Sequence, residues 1–293
     1  MVVITIGLLT FNRANLITRA IESVVNQTFK DFELIISDDN SFDNTKEVIG
    51  YYCIDDTRIK YIKQTGIGMT KNFLEVLKLA KGKYFMWLCD DDYLSEDYLE
   101  KTISFLKNNK NYSLVCGTTK FFDNSGVWDR KEVLELEDEN ALKRVINYFK
   151  KVNSNIILYG LMTREEISNF IYPDTFGADL FWSSQIVYSG KVKVLSDTFF
   201  YYSKEGISSD THKLSQYYQQ SQKKENPYFI VRKVAFDIIN QRLGAFKFLK
   251  IVESKLLAIR VWLILRDRFC LSKTEAKIRY NLAIRSRIIA LFK

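Results

Sequence analysis

The sequence predicts an α/β fold: a mostly parallel sheet with flanking helices, followed by a basic helical extension. Three patterns carry this reading. Between residues 2 and 117, five short apolar runs alternate with four amphipathic stretches, which is how parallel strands and their crossover helices are written. One of those runs, Tyr84-Phe85-Met86-Trp87-Leu88-Cys89, is apolar on every residue, as a strand buried on both faces must be. From residue 223 onward the pattern changes to helical spacing, with Lys and Arg on the other face.

The elements follow in order. Val2 to Leu9 is the first strand. Leu16, Ile17, Ala20, Ile21, Val24 and Val25 share one helical face, and the helix stops near Asn26-Gln27-Thr28. Phe32 to Ser37 is the second strand and Asn44-Thr45 opens a helix reaching about Tyr52. Ile59 to Ile62 is the third strand, followed by the turn Gly66-Ile67-Gly68. Phe73, Leu74, Leu77 and Ala80 line the next helix, which Gly82 ends. After the Tyr84 strand, Ser95 is read as the N-cap of a helix from Glu96 to Asn109, and Leu114 to Gly117 is the fifth strand. Phe121 to Val133 reads as a hairpin or loop, Ala141 to Lys151 as helix, and Ile156 to Met162 as strand. Val192–Leu195 and Phe199–Tyr202 read as two further strands. The chain divides into 1–120, 121–222 and 223–293, the first two being halves of one domain.

Composition narrows the class. Of 293 residues, 47% are hydrophobic and only 2 are Pro, so a substantial core is expected and long disordered linkers are not. The four cysteines lack metal-type spacing and read as small hydrophobes in a reducing compartment. The N-terminus has no basic leader segment and reads as a strand, not a signal peptide. No stretch is long and apolar enough to span a bilayer. Charge is uneven: residues 223–293 hold 17 basic and 5 acidic residues, a net of +12, while the remainder holds 26 and 30, a net of −4. Such a tail suits an anionic surface, membrane ahead of nucleic acid, because its bases form an amphipathic stripe and no nucleic-acid module is present. Trp262, Leu263 and Phe269 fit in-plane attachment; helices packed on the body are the other reading.

Polar clusters stand where the strands end: Thr10-Phe11-Asn12-Arg13, Asp38-Asp39-Asn40-Ser41 and Asp90-Asp91-Asp92. Open α/β sheets bind ligands at that edge. Three adjacent carboxylates repel one another. A divalent cation holding a phosphorylated ligand would account for them, and so would the first turn of a helix. Asp38 and Asp39 are either turn formers or ligand contacts.

Taken together, Thr10 to Arg13, Ile21 to Thr28, Phe32 to Ser41 with Asp43 and Thr45, Lys71-Asn72, Gly82-Lys83-Tyr84 and Asp90 to Asp92 resemble the inverting glycosyltransferases of family 2, whose fold is the Rossmann-like GT-A type. Order and spacing hold over the first 120 residues; beyond them the likeness thins to Gly177-Ala178-Asp179 and to Tyr201-Tyr202 with Gly206 and Ser208. The resemblance implies that 1–120 binds a nucleotide sugar and 121–222 holds the acceptor side. Thr10, Asn12, Arg13, Asp38 and Asp39 would hold the nucleotide, Asp39 by pairing with the base. Lys71 stands where the family has Arg and would approach base or diphosphate. Cys89 falls at the first acid of the family's Asp-x-Asp-Asp form. Asp90 would then face the ribose, and Asp91, with Asp92, the metal. In the alternative register Asp90 and Asp92 are the metal pair. Asp179 matches the catalytic base, with a helix N-cap as its bland reading. His212, the single histidine, is a loop residue or a returning metal ligand.

The implied reaction needs these groups. Mn²⁺ or Mg²⁺ would neutralise the leaving diphosphate, and a carboxylate on the opposite side of the sugar would take the proton of the attacking hydroxyl. The expected donor is a UDP-sugar and the expected acceptor a glycan or lipid-linked glycan, at the inner face of the cell membrane. Two other classes remain: a sugar nucleotidyltransferase, which would carry a Gly-rich basic loop after the first strand, and a catalytically inactive nucleotide-sugar-binding protein on the membrane.

Overall fold

The computed structural model describes residues 2–172, 178–205 and 251–269. His212, Gly177, Gly206, Ser208 and the predicted helix 278–292 lie outside the described residues, as does most of the basic region 223–293.

The N-terminal half is the predicted alternation. Strands β1 (Ile4–Thr10), β2 (Phe32–Asp38), β3 (Ile59–Lys63) and β4 (Tyr84–Cys89) run parallel in the order β3-β2-β1-β4. Their apolar runs reflect burial on both faces. Ile4, Ile6, Leu8, Met86 and Leu88 pack into one cluster with helix α1 (Ile17–Val25). Leu9, Ile35, Phe85 and Trp87 pack into the opposite cluster with helix α3 (Met69–Leu79). Helix α2 (Thr45–Asp55) completes this half. Gly82 lets the chain enter β4 against β1, because a Cβ there would lie 2.5 Å from the Thr5 backbone nitrogen.

The second half is mixed. β5 (Tyr93–Leu94) and helix α4 (Tyr98–Asn108) lead to the long strand β6 (Tyr112–Asp123), which forms a hairpin with β7 (Gly126–Glu132). β6 runs through residue 120, so the two predicted halves share one sheet. After helix α5 (Ala141–Lys151), the stretch read as one strand divides into a 3₁₀ turn (Ile156–Tyr159) and a short strand β8 (Leu161–Thr163). β8 inserts antiparallel between β4 and β6. Helices α6 (Arg164–Ile167) and α7 (Ala178–Ser189) precede β9 (Lys191–Ser203), which joins the two predicted strands and runs parallel to β6 across a bulge. β5 closes the far edge on β9, giving the order β3-β2-β1-β4-β8-β6-β9-β5.

Two local expectations change. Ser95 does not cap α4: its hydroxyl turns to Thr198 (2.7 Å) and accepts from the Phe199 N–H (3.0 Å). The N–H of Leu99 is instead satisfied by Gln27 Oε1 at 2.8 Å, so a buried glutamine at the end of α1 supplies the cap. In helix α8 (Ile251–Phe269), Leu257, Ala258, Val261 and Leu265 are buried against the body, whereas Leu256 and Ile259, on the apolar stripe that the helical spacing marks, are 53% and 43% exposed. This helix is apolar on more than one side, so periodicity alone did not select the face that packs.

Candidate active site

Register brings the predicted clusters to one rim. Thr10 pairs with Asp38 and Leu9 with Cys89, so three parallel strands end level and their following loops adjoin. The first two loops are sewn together. The Asn12 N–H donates to Ser41 Oγ (2.8 Å), the Phe42 N–H to Asn12 Oδ1 (3.0 Å), and the Ala14 N–H to Asp43 Oδ2 (3.1 Å). Asn12 and Asn40 take positive φ (52° and 72°), a conformation asparagine tolerates better than most residues. Thus Asn12 shapes the loop with its side chain while the Thr10–Arg13 backbone lines the rim.

Asp38 and Asp39 part company. Asp38 is fully buried and accepts from the Ser41 N–H (2.7 Å) and the Tyr61 hydroxyl (2.8 Å); it is a turn former inside the fold and shows no face to the rim. Asp39 accepts from the N–H groups of Ile67 (2.7 Å) and Gly68 (3.0 Å), which ties the β2 loop to the glycine turn before α3. Gly66 and Gly68 have φ of 79° and 85°, so both positions favour glycine. Lys71 is exposed in the first turn of α3. Its neighbour Asn72 is buried and bonded to Ser37 (2.5 and 3.2 Å), which anchors that helix start to the end of β2.

The three carboxylates after β4 are drawn into different surroundings. Asp90 is 8% exposed beside the β1 loop. Burial and the neighbouring Asp91 push its pKa up to about 7, against the pull of the Thr10 hydroxyl, the Arg13 charge and the Phe11 N–H. Asp92 is buried and accepts from the Ser203 N–H at the end of β9 (2.9 Å); burial and Asp91 hold it well above the usual carboxylate range. Asp91 is the most accessible of the three. Burial raises it too, while Arg13 and Arg19 pull it down. Arg19 also lies over the Tyr93 and Phe122 rings, 5.3 and 4.3 Å from their centroids. Burial and these carboxylates push the Cys89 thiol well above its ordinary range. Ligand atoms of Cys89, Asp91 and Asp92 lie within 4.8 Å of one another. A crowded, partly desolvated set of carboxylate oxygens with raised pKa values fits a hard divalent cation, whose charge would offset their repulsion.

Asp179 reaches the same rim by topology. β4, β6 and β9 point the same way through the antiparallel β8. Helix α7 leads directly into β9, so its first turn, with Asp179, lies over their carboxyl ends. Asp179 Oδ2 accepts from Asn155 Nδ2 at 2.8 Å, and burial raises its pKa against that hydrogen bond. Asn155 opens the 3₁₀ turn, and Tyr159 closes it with its hydroxyl 3.4 Å from Cys89 Sγ. One turn therefore links the Asp179 side to the strand-end carboxylates. Asn155 and Tyr159 carried no signal in the sequence; their partners are 24 and 70 residues away.

Residues 5–209 match the family described as Glycosyl transferase family 2. The chain belongs to that family. Among curated relatives, the Campylobacter jejuni protein GalNAc(5)-diNAcBac-PP-undecaprenol beta-1,3-glucosyltransferase is 42% identical over 113 residues, 37% of this chain and 35% of that one. The Bacillus spizizenii poly(ribitol-phosphate) beta-glucosyltransferase is 30% identical over 130 residues, 42% of this chain and 20% of the relative. The match thus spans about a third or less of these relatives' length. Among solved structures, S. aureus TarS 1-349 in complex with UDP-GlcNAc superposes with a TM-score of 0.66 at 18% identity, covering 92% of this chain and 73% of that 1-349 chain. The Pyrobaculum calidifontis mannosyltransferase PcManGT, in complex with GDP-Man and Mn²⁺, gives 0.53 at 14% identity, covering 96% and 79%. These likenesses carry the GT-A fold that the family resemblance implied.

Proposed function

We propose that this family 2 chain is a metal-dependent inverting glycosyltransferase that moves a sugar from a UDP-sugar to a glycan or lipid-linked acceptor. The observation that carries the reading is the rim itself: Thr10–Arg13, Asp39 and Asp90–Asp92 on adjoining strand ends, with Asp179 held over the same edge by the 155–159 turn. UDP and UDP-GlcNAc complexes of TarS and the lipid-linked substrate named for the Campylobacter relative support the donor and acceptor classes.

In this reading the Thr10–Arg13 loop, Asp39 and Lys71 hold the nucleotide, and Asp90 the ribose. Asp38 shapes the loop from within. Asp91 and Asp92 hold the cation; the accessibility of Asp91 supports it as the principal ligand and thus the register that begins at Cys89. A bound Mn²⁺ or Mg²⁺ supplies charge stabilisation to the departing diphosphate. Asp179 accepts the proton of the acceptor hydroxyl as that oxygen bonds to the anomeric carbon. The bond to the diphosphate breaks with its electron pair, and the single displacement inverts the centre. Lys255, Leu256, Ile259 and Arg260 are exposed together on α8 and support a contact with an anionic leaflet at the inner face of the cell membrane. No helix among the described residues is long and apolar enough to cross a membrane.

The test is UDP release from UDP-glucose or UDP-GlcNAc with Mn²⁺. Asp91→Asn is expected to abolish metal-dependent release, and Asp179→Asn to retain donor-induced thermal stabilisation while losing turnover. Wild-type rates in either variant would overturn that assignment. Anionic vesicles should co-sediment the full chain, and Leu256→Asp with Ile259→Asp should abolish this; unchanged sedimentation would refute the contact.

A further inference from the structure

The contact between Asn155 and Asp179 is joined by a third group. The Tyr148 hydroxyl, on a fully buried ring of α5, lies 2.6 Å from Asn155 Oδ1. The opposite side of the same amide, Nδ2, meets Asp179 Oδ2 at 2.8 Å. An ionised carboxylate only accepts, so it takes the NH₂ end of the amide and leaves the oxygen end to the phenol, which donates to it. With Tyr148 donating to the amide oxygen, the amide NH₂ must face the carboxylate. The flipped amide would put one oxygen against another and suits only a protonated Asp179.

The anchor is stiff. Asn155 begins the turn whose Ile156, Ile157 and Leu158 are all buried, and its own carbonyl accepts from the Leu158 N–H at 3.2 Å. Tyr148 is flanked by Phe149 and Val145 in the same core cluster. Among the described residues, three basic groups on the elements packed around α7 are engaged elsewhere, and Glu132 accepts from the Ser154 N–H beside Asn155 at 3.3 Å. Arg144 of α5 donates to the Val187 and Tyr188 carbonyls at the far end of α7. On β9, Lys191 pairs with Glu139 and Lys193 with Glu135. Among the described residues, what acts on Asp179 is burial, the Asn155 amide and the N–H groups of Leu180 and Asp179 itself.

We propose that Asn155, oriented by Tyr148, is a positioning residue that holds the Asp179 carboxylate in one rotation and in its proton-accepting form for the attacking hydroxyl. This rests on the reading of Asp179 as base. A base must present a lone pair within hydrogen-bond reach of the proton it removes. A part-buried carboxylate with no cationic neighbour tends to stay protonated and to turn about its last bond. The relay opposes both tendencies with a neutral donor, so the base keeps its basicity.

The experiment uses the full chain and four variants: Asp179→Asn, Asn155→Leu, Asn155→Ser and Tyr148→Phe. UDP release from UDP-glucose and UDP-GlcNAc is followed across pH, with thermal melts as the check on folding. Asn155→Leu is expected to lower kcat about 10- to 100-fold with donor KM within about twofold, by analogy with outer-shell partners of other sites. Removing a donor disfavours the carboxylate, so the acid limb of the kcat profile should move up by about one pH unit. Tyr148→Phe should move both readouts the same way by less, and Asn155→Ser should fall between that variant and Asn155→Leu. A readout independent of turnover is the carboxyl titration of Asp179 itself, taken as the infrared or ¹³C difference from Asp179→Asn; its midpoint should rise in Asn155→Leu. If Asp179→Asn keeps turnover, the base reading has failed. If Asp179→Asn loses turnover while folded Asn155→Leu and Tyr148→Phe keep the wild-type acid limb and midpoint, the base stands and the positioning role is refuted.

Discussion

Asp90→Asn separates what this site needs from what the fold would prefer. An aspartate ordinarily titrates near 3.8, and Asp90 is pushed to about 7, chiefly by burial and then by Asp91. Its folded value lies above its unfolded one, so the folded protein holds the extra proton between those limits. The stability that depends on this group therefore falls as pH rises through that window and is lowest above it. At about 1.36 kcal/mol per pKa unit, ionising Asp90 in the folded chain costs on the order of 4 kcal/mol. Since the residue is only 8% exposed, little of that cost is screened away by water. Asparagine keeps the shape and removes the charge, and it also relieves Asp91 and Asp92, which Asp90 faces. Urea titrations with a chelator at about pH 4 to 8 would measure the unfolding free energy of both proteins. The gap, variant minus wild type, is expected to widen by on the order of 4 kcal/mol from the acid to the alkaline end. Using the gap cancels groups such as Glu33, Asp43 and Asp56, whose pKa values are lowered and whose contributions run the other way. A flat or narrowing gap would refute the electrostatic account. The same variant is expected to lose nucleotide-sugar binding, so it should be more stable at neutral pH and less able to bind donor.

Two further substitutions probe the frame. Gly82→Ala would bring a Cβ within 2.5 to 2.8 Å of backbone atoms of Thr5, Ile4 and Tyr84, so β1 and β4 must part, at a cost of about 2 kcal/mol or more in chemical denaturation. Gly50→Ala, in α2 with nothing within 4 Å of the new methyl, should instead stabilise by about 0.5–1 kcal/mol; equal effects at the two glycines would refute the steric account. Arg144→Met leaves the Val187 and Tyr188 carbonyls without their 2.8 Å donors and should cost about 3 kcal/mol. Arg144→Lys should recover only part of that in thermal melts, because an ammonium cannot fork to four carbonyls; full recovery would show that charge alone suffices.

Much of the frame was legible because its signals are local. Tyr84 to Cys89 read as a two-faced buried strand since every residue in it is apolar, and its side chains do divide between two core clusters. Helix α5 was readable to the residue from its apolar stripe, Leu142, Val145, Ile146 and Phe149; its cap, Asn140 accepting the Lys143 N–H, came only with the structure. The second half resisted. β8 has three residues, too few for a period, and its place between β4 and β6 is set by partners far along the chain. β9 read as two strands because exposed Asp197 interrupts its pattern near the bulge opposite Gly117 and Thr118. Helix α8 has apolar residues on several sides, and only contact with α5 and the core selected Leu257, Ala258, Val261 and Leu265.

By itself the sequence determined the fold class, the family, and the strand ends at which polar clusters stand, because burial on both faces and polarity at a strand terminus are written in consecutive residues. Tertiary structure alone decided the surroundings of each carboxylate near that rim. Asp38 turned inward to Tyr61 and Ser41, Asp92 was drawn to the Ser203 N–H, Asp91 was left accessible, and Asp179 met an amide that nothing in its own segment announces. Neighbouring aspartates are alike in sequence. Their burial, partners and proton affinities differ because those are set by groups that only the folded chain brings within hydrogen-bonding distance.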